Sequence, residues 1–120
     1  MLENTYTLEN GIKIPKLGLG TWFIDDSKVA EAVREAVKIG YRMIDTAQAY
    51  GNERGVGEGV RTCGIPREDL FVVSKVAAEH KTYEQAMAGM DETLKKMTDF
   101  RADEVKTHST TFEGVNKYSV

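Results

Sequence analysis

The chain has 120 residues, 41% of them apolar and 29% charged, with a formal net charge of -3. That length holds one domain, and the charge balance lacks the basic stripe with interleaved aromatics that nucleic acid requires. The single cysteine, Cys63, and the two histidines, His80 and His108, exclude an intrachain disulfide and leave no metal-ligand pattern. Met1 to Asn4 lacks the basic start and apolar core of a signal peptide, and no run approaches membrane-spanning length. The expected compartment is therefore reducing and cytoplasmic.

Tyr6 to Ile14 alternates apolar and polar residues around Asn10-Gly11, which predicts a hairpin with a two-residue type I′ turn. After Pro15, Leu17 to Trp22 reads as a short glycine-rich strand. Asp25, Asp26 and Ser27 offer N-caps for a helix with Val29, Val33, Ala36 and Val37 on its apolar face, closed by Gly40. Tyr41 to Thr46 is a second strand, Asn52 to Arg61 a glycine-weakened helix, and Leu70 to Ser74 a third strand. Thr82 to Gln85 forms a capping box ahead of a helix whose stripe is Tyr83, Ala86, Met87, Met90, Leu94 and Met97. Strand alternating with helix at roughly 30 residues per repeat implies parallel strands joined by right-handed crossovers. Residues 98–120 break this pattern. Where the period calls for a buried fourth strand, Arg101 to Thr107 is mostly polar and suits an exposed edge.

Two strand tips carry chemistry. Apolar Met43-Ile44 ends in Asp45, with Tyr50 on the following loop, and Phe71-Val72-Val73-Ser74 ends in Lys75. An acid, a phenol and an amine at neighbouring C-terminal strand ends form a proton-transfer set, at the place where α/β proteins put their active sites. A free phenol has a pKa near 10, and an adjacent ammonium stabilises its anion. The duller readings are a structural ion pair for Asp45 with Lys75, a packed loop aromatic for Tyr50, and a surface histidine for His108. Gly18-Leu19-Gly20 lacks the third glycine of a dinucleotide-binding crevice, and there is no phosphate-binding P-loop lysine.

Gly40-Tyr41-Arg42-Met43-Ile44-Asp45-Thr46-Ala47, followed by Glu53 and Val56-Gly57, resembles the N-terminal signature of the aldo-keto reductases. The hairpin, Leu17 to Trp22 and Val72-Val73-Ser74-Lys75 follow in that family's order, so the resemblance covers about residues 5–97. It implies an α/β fold, a partial (β/α)8 TIM barrel of about three and a half βα units behind an N-terminal β-hairpin. It also implies reduction of aldehydes and ketones by hydride from NADPH. The resemblance assigns catalysis to Asp45, Tyr50, Lys75 and His108, cofactor binding to Gly20, Thr21, Trp22 and Asp45, and substrate contacts to Trp22, Tyr50 and His108. The chain departs from the pattern at Met43, at the small wall Val76-Ala77-Ala78, and in the polar stretch before His108.

A full barrel typically needs about 250 residues. The expectation is therefore one truncated half-barrel over residues 1–120, with open strand edges available for self-association and weak NADPH binding. Two readings stay open: the catalytic N-terminal part of a carbonyl reductase, or a non-catalytic half-barrel arising by truncation, splicing or engineering.

Overall fold

The computed structural model describes residues 4–98, beginning with a hairpin. Strands β1 (Thr5–Thr7) and β2 (Lys13–Pro15) pair antiparallel, with Tyr6 opposite Ile14. The turn is not the expected two-residue type. Gly11 donates to the Leu8 carbonyl at 2.9 Å, Leu8 donates to Ile12 at 2.8 Å, and within the loop only Gly11 has positive φ, at +82°. This is the three-residue loop closed by a left-handed glycine. Asn10 contributes through its side chain, which accepts the Ile12 N–H at 3.1 Å.

Strand and helix then alternate three times. Strands β3 (Leu19–Gly20), β4 (Met43–Asp45) and β5 (Phe71–Val73) form a parallel sheet in chain order, with Gly20 beside Asp45 and Asp45 beside Val73. The strands are shorter than expected, but backbone bonds carry the ladder further. Phe71 donates to Arg42 at 2.8 Å, Thr46 to Val73 at 2.8 Å and Gln48 to Lys75 at 3.1 Å. Helices α1 (Asp26–Lys38), α2 (Glu53–Thr62) and α3 (Tyr83–Met97) follow the three strands. Val29, Val33, Val37, Ile44, Val56, Val60, Val72 and Met97 form an apolar core between helices and sheet. Ile44 and Val72 face that core, so alternation turns Asp45 to the opposite face of the sheet.

Helix α1 ends as its sequence predicts. Gly40 at φ +116° donates to Val37 at 3.0 Å, and Tyr41 donates to Ala36 at 2.9 Å, the paired bonds of a Schellman cap. Its start differs, since Asp25 occupies the N-cap without a side-chain bond. Asp26 serves the neighbouring helix instead. Its carboxylate accepts the Gly55 N–H and the Arg54 Nε, both at 2.8 Å, and so caps α2 from outside.

The glycines of α2 are contact points more than weaknesses. A Cβ on Gly55 would lie 2.4 Å from the Asp26 carbonyl oxygen, and one on Gly59 would lie 2.7 Å from Val33 Cβ. These two glycines, four residues apart, let α1 approach at backbone distance. Gly57 faces another neighbour: a Cβ there would sit 2.1 Å from the Met97 carbonyl oxygen at the end of α3.

Helix α3 opens on the expected capping box, with Gln85 donating to Thr82 Oγ1 at 3.1 Å and Thr82 donating to Gln85 Oε1 at 3.3 Å. Its inward face follows the expected stripe from Ala86 to Met97, with Ala86, Met87, Met90 and Leu94 partly buried, and departs from it at Tyr83. Gly89, Thr93 and Met97 are buried, whereas Tyr83 is 76% exposed. At Gly89 the helix meets its neighbours closely: His80 and the Gln48 amide occupy the space a side chain there would fill, and its carbonyl accepts the Gln48 Nε2. The expected fourth strand, His108 and the tail from residue 99 onward lie outside the described residues. Among those described, no helix is long and apolar enough to cross a membrane.

Candidate active site

The register of β4 against β5 brings the two charged tips together. Asp45 pairs with Val73, and Lys75 lies two residues past Val73, so both side chains rise from one face of the sheet. The Lys75 ammonium donates to Asp45 Oδ1, and to the Thr46 carbonyl at 2.8 Å. It also stands 5.1 Å from the centroid of the Tyr50 ring. A single ammonium therefore touches the acid and lies over the phenol, as the strand-tip reading expects.

The electrostatics follow from these contacts. Desolvation acts to lower the Lys75 pKa, but hydrogen bonding and charge from Asp45, followed by the same effects from Tyr50, outweigh it and raise the pKa. Lys75 stays cationic across the physiological range. Side-chain exposures of 47% for Lys75 and 38% for Asp45 leave the pair open on its outer side. An exposed ion pair of this kind contributes about 1 kcal/mol or less to stability, so its geometry matters more than its energy.

Tyr50 is placed by a short 3₁₀ turn, Gln48–Tyr50, that follows β4 and ends at Gly51 with φ +69°. The Gln48 side chain anchors this turn from below. Its Oε1 accepts the Ala77 N–H at 2.7 Å and its Nε2 donates to Gly89. Tyr50 then meets Trp22, with ring centroids 6.4 Å apart. Trp22 in turn stacks on Phe23 at 4.4 Å, and both rings are exposed, at 65% and 85%. The aromatic surface thus lies open beside the phenol and the ammonium.

The residues expected to meet a cofactor divide into two kinds. Gly20 is exposed, and a Cβ there would touch nothing within 4 Å, so open space lies over the β3 tip. Trp22 and Asp45 border that space with an exposed ring and a partly exposed carboxylate. Thr21 is fully buried, and its hydroxyl donates to the Asp45 carbonyl at 3.0 Å. Its side chain ties β3 to β4.

Sequence reasoning did not single out the buried polar layer beneath the tips. Thr46 Oγ1 donates to Asn52 Oδ1 at 2.7 Å, and Asn52 Nδ2 donates to the carbonyls of Thr21 at 2.8 Å and Ile24 at 3.0 Å. Next to it, Ser74 Oγ donates to Glu53 Oε2 at 2.6 Å. Asn52 and Glu53 are 0% and 2% exposed. Polar residues at the start of a helix are usually solvated caps, which hides this role in the sequence; the clue was two such residues ahead of an apolar run.

Comparison with known proteins identifies the family. The sequence profile of the Aldo/keto reductase family matches residues 16–113. The chain is 47% identical over 89 residues to the 9,11-endoperoxide prostaglandin H2 reductase of Trypanosoma cruzi (strain CL Brener), covering 73% of this chain and 31% of that one. It is 42% identical over 97 residues to the glyoxal reductase of Bacillus subtilis (strain 168), covering 80% and 35%. Among solved structures, an aldo/keto reductase from Brucella melitensis superposes with a TM-score of 0.76 at 44% identity, covering 78% of this chain and 36% of that chain. The Bombyx mori aldo-keto reductase in complex with NADP superposes with a TM-score of 0.72 at 34% identity, covering 78% and 34%. The chain thus spans about a third of the length of the curated relatives it matches. Its open three-stranded sheet and outer helices are part of a (β/α)8 barrel, without the closed ring among the described residues. By profile match, by identity and by superposition, this chain belongs to the aldo/keto reductase family.

Proposed function

We propose that this chain carries the proton-transfer site of an NADPH-dependent reductase of aldehydes and ketones. The observation that carries the reading is the single Lys75 ammonium shared between Asp45 and the Tyr50 ring. Tyr50 is the proton donor to the carbonyl oxygen. As the phenol releases its proton, negative charge grows on its oxygen, and Lys75 stabilises that charge at close range. Asp45 holds Lys75 in place and balances its charge. His108, on the family pattern, orients the carbonyl. General acid catalysis of this kind is typically worth about 10²–10⁴-fold in rate.

Gly20, Trp22 and Asp45 fit the nicotinamide end of the cofactor, since a flat ring can approach the bare β3 tip. Bound there, NADPH would supply the hydride to the carbonyl carbon. Thr21 acts from beneath, through its bond to the Asp45 backbone. Trp22 forms the wall that receives the substrate beside Tyr50, and its exposed ring favours an aromatic or apolar carbonyl compound. The test is NADPH oxidation by the purified chain in the presence of an aromatic aldehyde, followed by its absorbance. Aldehyde-dependent oxidation that Lys75→Met removes supports the reading; oxidation insensitive to Lys75→Met refutes it.

The competing reading is a non-catalytic folding module. It is favoured by one observation: among the described residues, the outer edges of β3 and β5 pair with no strand. A self-associating, inactive chain in sedimentation and turnover assays would select it.

A further inference from the structure

We infer that Asn52 is a positioning residue that sets the aromatic wall against the proton donor, an inference that rests on the carbonyl-reduction reading above. Residues Thr21 to Ile24 make a tight turn, closed by the Ile24 N–H on the Thr21 carbonyl at 3.1 Å. Phe23 occupies its third position at φ +64°, the one non-glycine residue with positive φ among those described. Glycine or asparagine normally takes that place, because a bulky side chain is strained in the left-handed region. Such strain persists only where surrounding contacts enforce it.

Asn52 supplies that enforcement. Its amide donates both hydrogens to the two ends of this turn, Thr21 at 2.8 Å and Ile24 at 3.0 Å. Two converging carbonyls require a donor, which fixes which way the carboxamide faces. Its oxygen then accepts Thr46 Oγ1 at 2.7 Å, from the residue that follows Asp45. One side chain, 0% exposed, thereby ties the Trp22–Phe23 turn to the tip of β4. Tyr50 leaves that same tip, so the 6.4 Å separation of Trp22 and Tyr50 is a distance set by this tie. The Glu53–Ser74 bond extends the arrangement to the third tip, beside Lys75. Asn52 touches no reacting atom, and its effect passes through Trp22.

Trp22 is the only tryptophan in the chain, so its fluorescence reports on this turn alone. The test is time-resolved anisotropy of Trp22 in the 120-residue chain, with circular dichroism confirming the fold. In Asn52→Ala the sub-nanosecond component of local motion should grow about twofold in amplitude. A folded Asn52→Ala chain with the parental decay overturns the inference. If Asn52→Ala does not fold, Thr46→Val and Thr46→Ser decide. Valine should loosen Trp22 in the same direction but less, and serine, which keeps the hydroxyl, should restore the parental decay. No effect of valine, or serine behaving as valine does, also overturns it. In the reaction, kcat should fall on the order of tenfold in Asn52→Ala. Loosened Trp22 in a chain that never turns over removes the reductase reading and leaves the tie intact. Unchanged Trp22 with turnover preserved removes the tie alone.

Discussion

At the seam between α1 and α2, Val29, Val33 and Val56 are fully buried, and Gly55 and Gly59 let the helix backbones meet. At the strand tips a few residues away, the buried side chains are Thr21, Thr46, Asn52, Glu53 and Ser74, joined by hydrogen bonds. The seam is specified by volume, and many apolar sets of similar size fill such a space. The rim is specified by donor–acceptor pairing, where one lost partner strands another buried group. The rim also supports the exposed groups that carry chemistry. A rigid polar layer beneath an open surface is how a catalytic arrangement is held without being covered.

This contrast is most severely tested by added volume. Gly55→Ala places a Cβ 2.4 Å from the Asp26 carbonyl oxygen, backbone that cannot give way. It should cost about 3 kcal/mol or more in chemical denaturation. At the rim, Gly20→Ala meets nothing within 4 Å and should leave stability within about 0.5 kcal/mol of the parent. A similar loss for both glycines would erase the distinction between the two regions.

Removing a rim partner comes next in size. Ser74→Ala strips the hydroxyl from Glu53, a carboxylate only 2% exposed, and should cost about 1–3 kcal/mol with no change in packing volume beyond one oxygen. The same substitution on a solvated hydroxyl costs almost nothing, so a neutral result would mean that the layer is not cooperative.

How far such a layer can be read from sequence depends on the separation of its members. Asp45, Tyr50 and Lys75 were legible because parallel strands in chain order put consecutive tips side by side, and apolar runs ending in charge mark those tips. The core valines of α1 were legible from their helical spacing. Asn52 was not, because its partners Thr21 and Ile24 lie 31 and 28 residues away and nothing local selects them. The hairpin is legible in the Asn10-Gly11 pair but its turn type is not, since Asn10 acts through its side chain while Gly11 alone takes the left-handed backbone. Periodicity places Tyr83 with Ala86 to Met97 on the inward face of α3, but it stands outside in the first turn, ahead of the point where Gly89 meets His80 and Gln48.

The smallest expected effect belongs to the charged pair. The Lys75 pKa is raised above its ordinary 10.5, so its contribution to stability is complete below that value. The contribution fades as pH climbs through the higher folded-state value. Lys75→Met should therefore flatten the alkaline limb of the stability curve, by less than about 1 kcal/mol because both partners are well exposed. A larger loss near neutral pH would assign the pair to the scaffold.

Tyr50→Phe tests the central claim most directly, because it removes one hydroxyl from a half-buried phenol and leaves the ring against Trp22 and Lys75. Aldehyde-dependent NADPH oxidation, measured at high cofactor concentration for the parent and the variant, should fall at least about 10²-fold while thermal stability stays within about 0.5 kcal/mol. Turnover that survives Tyr50→Phe, or its absence in a folded parent chain, would contradict the assignment of this rim as a carbonyl-reducing site.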